Sequence, residues 1–180
     1  MDALASSQLG GLSTTALSAF STTQLGNLST TQVSGLTATQ LNGLSTTSMS
    51  ALAVSDFSTS QIAGLNTAKV AELMADRSAE FGPAQVGAIA PAAIDCLTTT
   101  VLSSLTSSQV SALTPFQVAA MSVPSFLALT STTGIPSLST LSMAGISIEK
   151  IDALSSEQVA AFTTTQTAAM QPAQLFALLT

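Results

Sequence analysis

Histidine, tryptophan and tyrosine are absent from the 180 residues of this chain. The chain therefore lacks the commonest general base, the commonest metal ligand and the usual aromatic anchors of binding surfaces. Serine is abundant, but no serine has a histidine partner to activate it as a nucleophile. The sequence also has no phosphate-binding loop, nucleophile elbow or metal-spaced cluster. We expect a protein that is not an enzyme and that uses no cofactor and no metal.

Charge is equally scarce, since only 7% of the residues are charged and the net charge is −6. Three cations are too few to neutralise phosphates, which argues against nucleic acid as a partner and against anionic membrane surfaces. A membrane-spanning helix needs about 20 mostly apolar residues, and here serine, threonine or glutamine interrupts every eight. The composition predicts neither a nucleic-acid partner nor membrane insertion.

Cys96 is the only cysteine, so no disulfide can form within the chain. Its place among small residues at the end of a sequence unit predicts a buried structural thiol. The N-terminus, Met1-Asp2-Ala3-Leu4, lacks the basic and apolar regions of a secretory signal peptide. The chain either stays inside the cell, leaves by a route that reads no cleaved signal, or has been processed.

An eight-residue repeat fills the sequence. Residues 20–51 read FSTTQLGN, LSTTQVSG, LTATQLNG and LSTTSMSA without a break. The consensus is L-[S/T]-x-x-Q-[V/L/I]-x-[A/G], and about 21 units run from Leu4 to the end. Two phase breaks interrupt the register, near residues 52–57 and 133–137. A short fixed period indicates one small structural unit stacked many times, so we treat residues 1–180 as a single repeat domain.

The eight positions predict a short helix in every unit. Position 1 is apolar throughout, position 6 is apolar in most units, and positions 7 and 8 are small. Serine or threonine at position 2 is a favoured N-cap, and glutamine three residues later completes a capping box. Four prolines lie at position 3, the first helical residue, where proline is tolerated best. The clearest predicted cap pairs are Ser21 with Gln24, Ser29 with Gln32, Thr37 with Gln40, Thr106 with Gln109, and Thr114 with Gln117.

These helices need mutual packing, because helices shorter than about 12 residues are marginal in water. The predicted fold is therefore all-α, an α-solenoid of very short capped helices around a continuous apolar core. A β-solenoid with Ser-Thr-Thr strands is the alternative, although proline at position 3 would remove a donor from the sheet. The number of helices in each superhelical turn stays open. Lys69, Arg77 and Lys150 each replace glutamine at position 5, where a long side chain could cover the start of its own helix.

The two ends of the array carry the functional hypothesis. Soluble solenoids usually have polar capping repeats, whereas the first and last units here, with Leu4, Leu9, Leu175 and Leu178, match the internal ones. Exposed apolar ends would associate head to tail and give an open filament. We therefore expect a structural protein whose partner is itself, as a homopolymer built head to tail or side to side.

Units such as LTSSQVSA, LTPFQVAA, LSSEQVAA and FTTTQTAA resemble the LTxxQVAA repeats of large bacterial secreted and cell-surface proteins. The resemblance covers nearly the whole chain, and it implies a structural or adhesive role outside the cell or at its surface. It supplies no functional residues. With no recognisable signal peptide, such a location implies a non-classical export route.

The alternative function is a monomeric binding module, either an adhesin stalk or spacer segment or an ice-binding surface. Threonine at positions 3 and 4 could form a repetitive array of hydroxyl and methyl groups. The simpler explanation is that these threonines are solvated residues in the first turn of each helix.

Overall fold

The computed structural model describes residues 4–180, which contain short α-helices and 3₁₀ segments and no strand. The all-α solenoid prediction is confirmed, and the β-solenoid alternative is wrong for this part of the chain. The helices are α1 Ser6–Gly10, α2 Thr14–Ser18, α3 Thr22–Gly26, α4 Thr30–Ser34, α5 Ala38–Gly43, α6 Thr46–Ser50, α7 Thr59–Ala63, α8 Thr67–Arg77 and α9 Pro83–Ala88. They continue as α10 Pro91–Asp95, α11 Thr99–Ser103, α12 Ser107–Ser111, α13 Pro115–Ala120, α14 Val123–Leu127, α15 Ile148–Asp152, α16 Ser156–Ala160, α17 Thr164–Ala168 and α18 Pro172–Leu179.

Most octapeptides make one helix of five or six residues because position 2 begins it and position 1 of the next unit ends it. In α3, Ser21 has extended backbone angles and its side chain accepts from the main-chain nitrogen of Gln24. Leu28, at position 1 of the next unit, then donates to the carbonyl of Leu25 and closes the turn. Pro83, Pro91, Pro115 and Pro172 each lie at the first residue of a helix, where a missing N–H has no intrahelical partner to lose.

Three helices form one coil of the solenoid, a number that the repeat did not reveal. Helices α1, α2 and α3 pack on α4, α5 and α6 in turn, and the same offset of three returns in α9 on α12, α10 on α13 and α11 on α14. Equivalent residues of neighbouring coils, such as Leu12 and Leu36, are therefore 24 residues apart. The result is a three-sided solenoid in which each side is a stack of parallel short helices.

The core is one continuous apolar column inside the three sides. Positions 1 and 6 supply it, from Leu9 and Leu17 in the first coil to Met170 in the last coil and Leu178 just after it. Fully burying one such aliphatic side chain contributes roughly 1.5–3 kcal/mol. Burial in the column thus stabilises helices too short to persist alone.

Small residues at positions 7 and 8 let successive coils approach closely. A Cβ built on Gly10 would lie 2.5 Å from the carbonyl oxygen of Gly35, in the coil above. No described glycine has a positive φ angle. Gly10 is therefore required for space between coils and not for backbone conformation.

The two predicted phase breaks are 3₁₀ segments that keep the column continuous. The first is Val54–Asp56, which packs on α4, and the second is Ile135–Ser137, which packs on α12. Further 3₁₀ segments cover Ser78–Glu80 and Thr140–Gly145. Helix α8 is the one long helix of the chain's interior because its second unit has Met74 where an N-cap would stand, so the helix runs on to Arg77.

Candidate functional site

The predicted cap residues form reciprocal hydrogen bonds at the helix starts. The main-chain nitrogen of Ser21 donates to Oε1 of Gln24 at 2.9 Å, and the nitrogen of Gln24 donates to Oγ of Ser21 at 3.2 Å. The equivalent distances for Thr114 and Gln117 are 2.8 and 3.2 Å. The same arrangement joins Ser29 to Gln32, Thr37 to Gln40, and Thr106 to Gln109.

Most of these glutamines have a second role, which the octapeptide pattern does not reveal. Nε2 of Gln117 donates to the carbonyl oxygens of Val86 and Ile89 at 2.8 and 2.7 Å. Both acceptors belong to the preceding coil, at the corner where α9 ends and the chain turns towards α10. One glutamine side chain thus caps the start of its own helix with its oxygen and the end of an earlier helix with its nitrogen.

This second role gives carbonyls at the end of a short helix a side-chain partner, although the carbonyl of Val86 also accepts from the main-chain nitrogen of Ile89 at 3.2 Å. The last carbonyls of any α-helix have no partner within the helix, and in a five-residue helix they are a large fraction of all carbonyls. Gln117 is only 1% exposed, so water cannot replace its amide. An unsatisfied buried polar group costs about 1–3 kcal/mol, which makes each of these glutamines an important link between coils.

We call this set of position-5 donors the donor ladder. Its members share position 5 and donate to main-chain carbonyls of the preceding coil. They are Gln32, Gln40, Gln61, Lys69, Arg77, Gln85, Gln109, Gln117, Ser142, Lys150, Gln158, Gln166 and Gln174.

The three cations belong to the ladder, which corrects the expectation that they cover their own helix starts. Nζ of Lys69 donates to the carbonyl of Leu44 at 3.0 Å, and Nη2 of Arg77 donates to that of Leu52 at 2.8 Å. Nζ of Lys150 donates to the carbonyls of Val118 and Ala119. Lysine and arginine can only donate. They therefore keep the donor role of the glutamine nitrogen and lose the acceptor role of the glutamine oxygen.

Where position 5 is not glutamine, the start of the helix lacks the amide oxygen as an acceptor. In two such helices, with Lys69 and Ser125 at position 5, a side chain of the coil below supplies the acceptor instead. Asn66 begins α8, whose position 5 is Lys69, and its main-chain nitrogen donates to Oδ1 of Asn42 at 2.9 Å. Ser122 begins α14, and its nitrogen donates to Oδ1 of Asp95 at 2.6 Å. Asn42 and Asp95 both occupy position 7, which faces the next coil. Position 7 thus compensates for a missing glutamine at a helix start 24 or 27 residues further along.

Two carboxylates of these contacts have lowered pKa values. Hydrogen bonds from the main chain and side chain of Ser122, and from Oγ of Ser125, hold the pKa of Asp95 below its ordinary value. The guanidinium of Arg77 lowers the pKa of Glu80, mainly by hydrogen bonding, and the two side chains form an ion pair at 2.6 Å.

Lys150 is the ladder cation whose charge is costly. Its side chain is buried, and burial lowers the pKa of its amine, while the negative charges of Asp95 and Glu149 oppose that shift. Lys69 instead has a partner at hand, because its amine forms an ion pair with Glu72 at 3.0 Å.

The residues predicted to form exposed apolar ends have different environments. Leu4 and Leu175 are half-buried, whereas Leu9 and Leu178 are buried in the chain's own core. The expectation of an exposed end is thus corrected for Leu9 and Leu178, because both side chains point inward from the helix. At the C-terminal end the exposed apolar side chains are Phe176 and Leu179, at 71% and 76%.

Other surface features are few. Cys96 is exposed, which corrects the expectation of a buried thiol, because it follows α10 as its C-cap residue while Ile94 and Leu97 face the core. Phe116 and Leu141 are exposed on stacked elements of one side. An open depression of about 280 Å³ between the starts of α1 and α4 is lined by Leu4, Ala5, Ser6, Ser29, Thr31 and Gln32.

Within residues 4–180 no three histidine, cysteine, aspartate or glutamate side chains are grouped so that they could hold a metal ion. No helix in this range combines the length and the apolar character needed to cross a bilayer.

One family model matches part of the chain. The model for the ALTTAQ repeat matches residues 1–38, and its letters correspond to position 8 followed by positions 1 to 5 of the octapeptide. The match supports a repeat-type protein. No curated protein matches this chain.

Proposed function

We propose that this chain is a non-enzymatic structural protein that associates with copies of itself into a filament, fibre or sheath outside the cell or at its surface. In this proposal the coils of adjacent copies stack end to end, as coils stack within one copy. The site is the coil-to-coil surface, and no reaction is assigned to it.

The proposal rests on position 1 being less buried in the end coils than in the interior coils. In the interior coils position 1 is buried, as at Leu36, Phe81 and Leu113. In the first described coil Leu4, Leu12 and Phe20 are only half-buried, and in the last coil Leu154 and Phe162 are half-buried as well. A second copy placed on either end would complete this burial, at roughly 1.5–3 kcal/mol for each side chain that becomes fully covered.

Charge does not oppose such a contact. Residues 4–27 of the first coil contain no charged side chain, and Glu157 is the one charged residue in the last coil, residues 154–177. Low charge removes the repulsion that keeps many proteins monomeric. Because the two ends differ, the contact between them is heterologous, and a heterologous contact that does not close into a ring produces a filament.

The test is sedimentation velocity and negative-stain electron microscopy of the purified 180-residue chain over a wide concentration range. We expect assemblies that grow with concentration, with a width of one solenoid where they are stacked singly. A chain that remains a monomer at the highest soluble concentration would contradict the proposal.

Two matched double variants locate the contact. Phe176→Ser with Leu179→Ser removes apolar side chains from the C-terminal end, and Phe116→Ser with Leu141→Ser removes equally exposed ones, at 78% and 75%, from a lateral surface. End-to-end stacking predicts that only the first pair shortens the assemblies. If only the second pair does so, the association is side to side.

A monomeric ice-binding module is the second candidate function, and one observation favours it. Stacked helices α3 and α6 carry exposed threonine pairs, Thr22–Thr23 and Thr46–Thr47, at the same positions of neighbouring coils. The array ends in the next coil, where α8 has Thr67 followed by Ala68. Thermal hysteresis of the monomer, lost in a Thr23→Lys/Thr47→Lys variant, would support it over the structural role.

A further inference from the structure

Asn42 is the side chain that joins the end of α5 to the coil above it. Its Nδ2 donates to the carbonyl of Gly64, just after α7, and its Oδ1 accepts from the main-chain nitrogen of Asn66, both at 2.9 Å. Lys69 occupies position 5 of the unit that Asn66 begins and has no oxygen to offer, so the second bond depends on Asn42. The half-buried amide of Asn42 therefore serves as both donor and acceptor across one coil contact.

Gly43, the next residue, is required for a different reason. A Cβ built on Gly43 would overlap Cγ2 of Thr14 in the coil below, so α5 can approach α2 this closely only with glycine there. The contacts with the coil above and the coil below thus place a glycine directly after an asparagine. The chain has two other asparagines, Asn27 and Asn66, which are followed by leucine and threonine.

An asparagine before a glycine is especially prone to lose its side-chain amide, because glycine has no Cβ to hinder attack by its own nitrogen. In this reaction the main-chain nitrogen of Gly43 forms a bond to Cγ of Asn42. The bond from Cγ to Nδ2 breaks, and ammonia leaves with the proton of the attacking nitrogen. Water then opens the cyclic imide and leaves aspartate or isoaspartate at position 42. Water is the one co-reactant that the two steps consume.

The folded chain restrains this reaction in two ways. Asn42 and Gly43 both lie within α5, and helical geometry fixes the backbone angle that closure of the imide ring must change. The bonds from Asn42 to Gly64 and Asn66 also hold the amide towards the coil above. The attack therefore requires that this coil contact separates and that the end of α5 unwinds.

We infer that Asn42 is a site of spontaneous deamidation, and that local separation of α5 from the coil above it sets the rate. The product accumulates with the time that this contact spends open. An aspartate at position 42 cannot donate to the carbonyl of Gly64, and isoaspartate lengthens the main chain between Leu41 and Leu44, which are both buried. Either product therefore weakens the contact. The inference does not depend on whether the chain associates with copies of itself.

The experiment follows all three asparagines by peptide mass spectrometry while the full chain is incubated in mildly alkaline buffer, either folded or in concentrated urea. In urea we expect Asn42 to react at least about tenfold faster than Asn27 and Asn66, because only Asn42 precedes a residue without a Cβ. In the folded chain we expect the rate at Asn42 to fall at least about tenfold, because only the locally open fraction reacts. An equal rate at Asn42 in both conditions would contradict control by the coil contact.

Two variants distinguish local opening from global unfolding. Gln61→Met removes the donor that joins α7 to the carbonyls of Val33 and Leu36, close to the Asn42 contact, and Gln117→Met removes the same kind of donor in a distant coil. We expect Gln61→Met to accelerate deamidation of the folded chain more than Gln117→Met does, and urea midpoints are measured in parallel. Acceleration that only follows the fall in urea midpoint would mean that global unfolding exposes Asn42, which would overturn the local mechanism.

A third variant tests what the reaction does to the contact. Asn42→Asp supplies one product directly, and we expect its urea midpoint at neutral pH to lie below that of the parent chain, because the carbonyl of Gly64 loses its donor. Asn27→Asp adds the same charge at an exposed asparagine and should leave the midpoint nearly unchanged. Equal midpoints of the two variants would show that the amide nitrogen of Asn42 does not hold the coils together.

Discussion

At the residue scale, glutamine at position 5 explains more of this fold than any other side chain. Its oxygen belongs to a local motif that can be predicted from a four-residue pattern. Its nitrogen acts across 25 to 31 residues, as from Gln61 to Leu36 and from Gln117 to Val86, and such a contact is visible only once the number of helices per coil is known. A signal was nevertheless present, because the residues that replace glutamine include lysine and arginine, which share only its ability to donate.

Replacing Gln117 tests the interior ladder. Gln117→Met retains volume but leaves the carbonyls of Val86 and Ile89 and the main-chain nitrogen of Thr114 without this partner. Because an unsatisfied buried group costs about 1–3 kcal/mol, we expect the free energy of unfolding to fall by roughly 2–4 kcal/mol in urea titrations. The matched control is Gln24→Met at monomeric concentrations, which loses only an exposed capping bond and should cost less than about 1 kcal/mol.

Lys150 makes the free energy of unfolding change with pH in the alkaline range. Burial lowers the pKa of its amine in the folded state, so the unfolded chain binds the proton more tightly between the lowered pKa and about 10.4. Stability therefore rises as pH rises through that interval. Lys150→Gln restores the consensus donor without a charge. We expect the gain in urea midpoint between about pH 7 and about pH 10 to be smaller in this variant than in the parent chain, and an unchanged gain would contradict a buried charged amine.

At the element scale, helix starts are predictable and helix neighbours are not. The N-cap residues and the prolines at Pro83 and Pro115 mark the first turns because capping is a local interaction. The long helix α8 was also readable in principle, since Met74 cannot cap. That Asp95 would cap α14, 27 residues away, could not be read from the sequence, because it depends on which helices the coil brings together.

The Asp95 contact predicts a rescue experiment. Asp95→Ala removes the acceptor for the main-chain nitrogen of Ser122, and we expect a loss of roughly 1–3 kcal/mol in the free energy of unfolding. Adding Ser125→Gln supplies a consensus position-5 glutamine, whose oxygen can accept from Ser122 and whose nitrogen can reach the preceding coil.

The double variant should therefore be more stable than Asp95→Ala alone, in equilibrium urea unfolding at neutral pH. Ser48→Gln, in a helix without such a cross-coil acceptor, is the control for a general benefit of the consensus residue, and it should add the same stability with or without Asp95→Ala. A double variant that is no more stable than Asp95→Ala would show that the acid and the glutamine do not perform the same function.

At the scale of the whole molecule, the octapeptide is the unit of sequence but the coil of three octapeptides is the unit of packing. A repeat protein's stability is approximately a sum of unit and nearest-neighbour terms, and here each helix's neighbours in the stack are three elements away. The composition predicted a continuous core and left this number open, because any whole number of short helices could bury positions 1 and 6. Insertions of one octapeptide and of three octapeptides should differ in their effect on stability and so test this number.

Duplicating residues 105–128 inserts one whole coil, and it keeps every later helix on its original side of the solenoid. We expect this variant to retain the mean helicity per residue and to be at least as stable as the parent, with a larger m-value in urea because more surface is buried. Duplicating residues 113–120 alone inserts one octapeptide and moves all later helices to the neighbouring side. Ser122 would then no longer meet Asp95, and Lys150 would face different carbonyls, so we expect a loss of roughly 1–3 kcal/mol although the smaller insertion changes fewer residues. Equal tolerance of the two insertions would mean that the coils are held by generic packing alone and that the specific contacts between them contribute little.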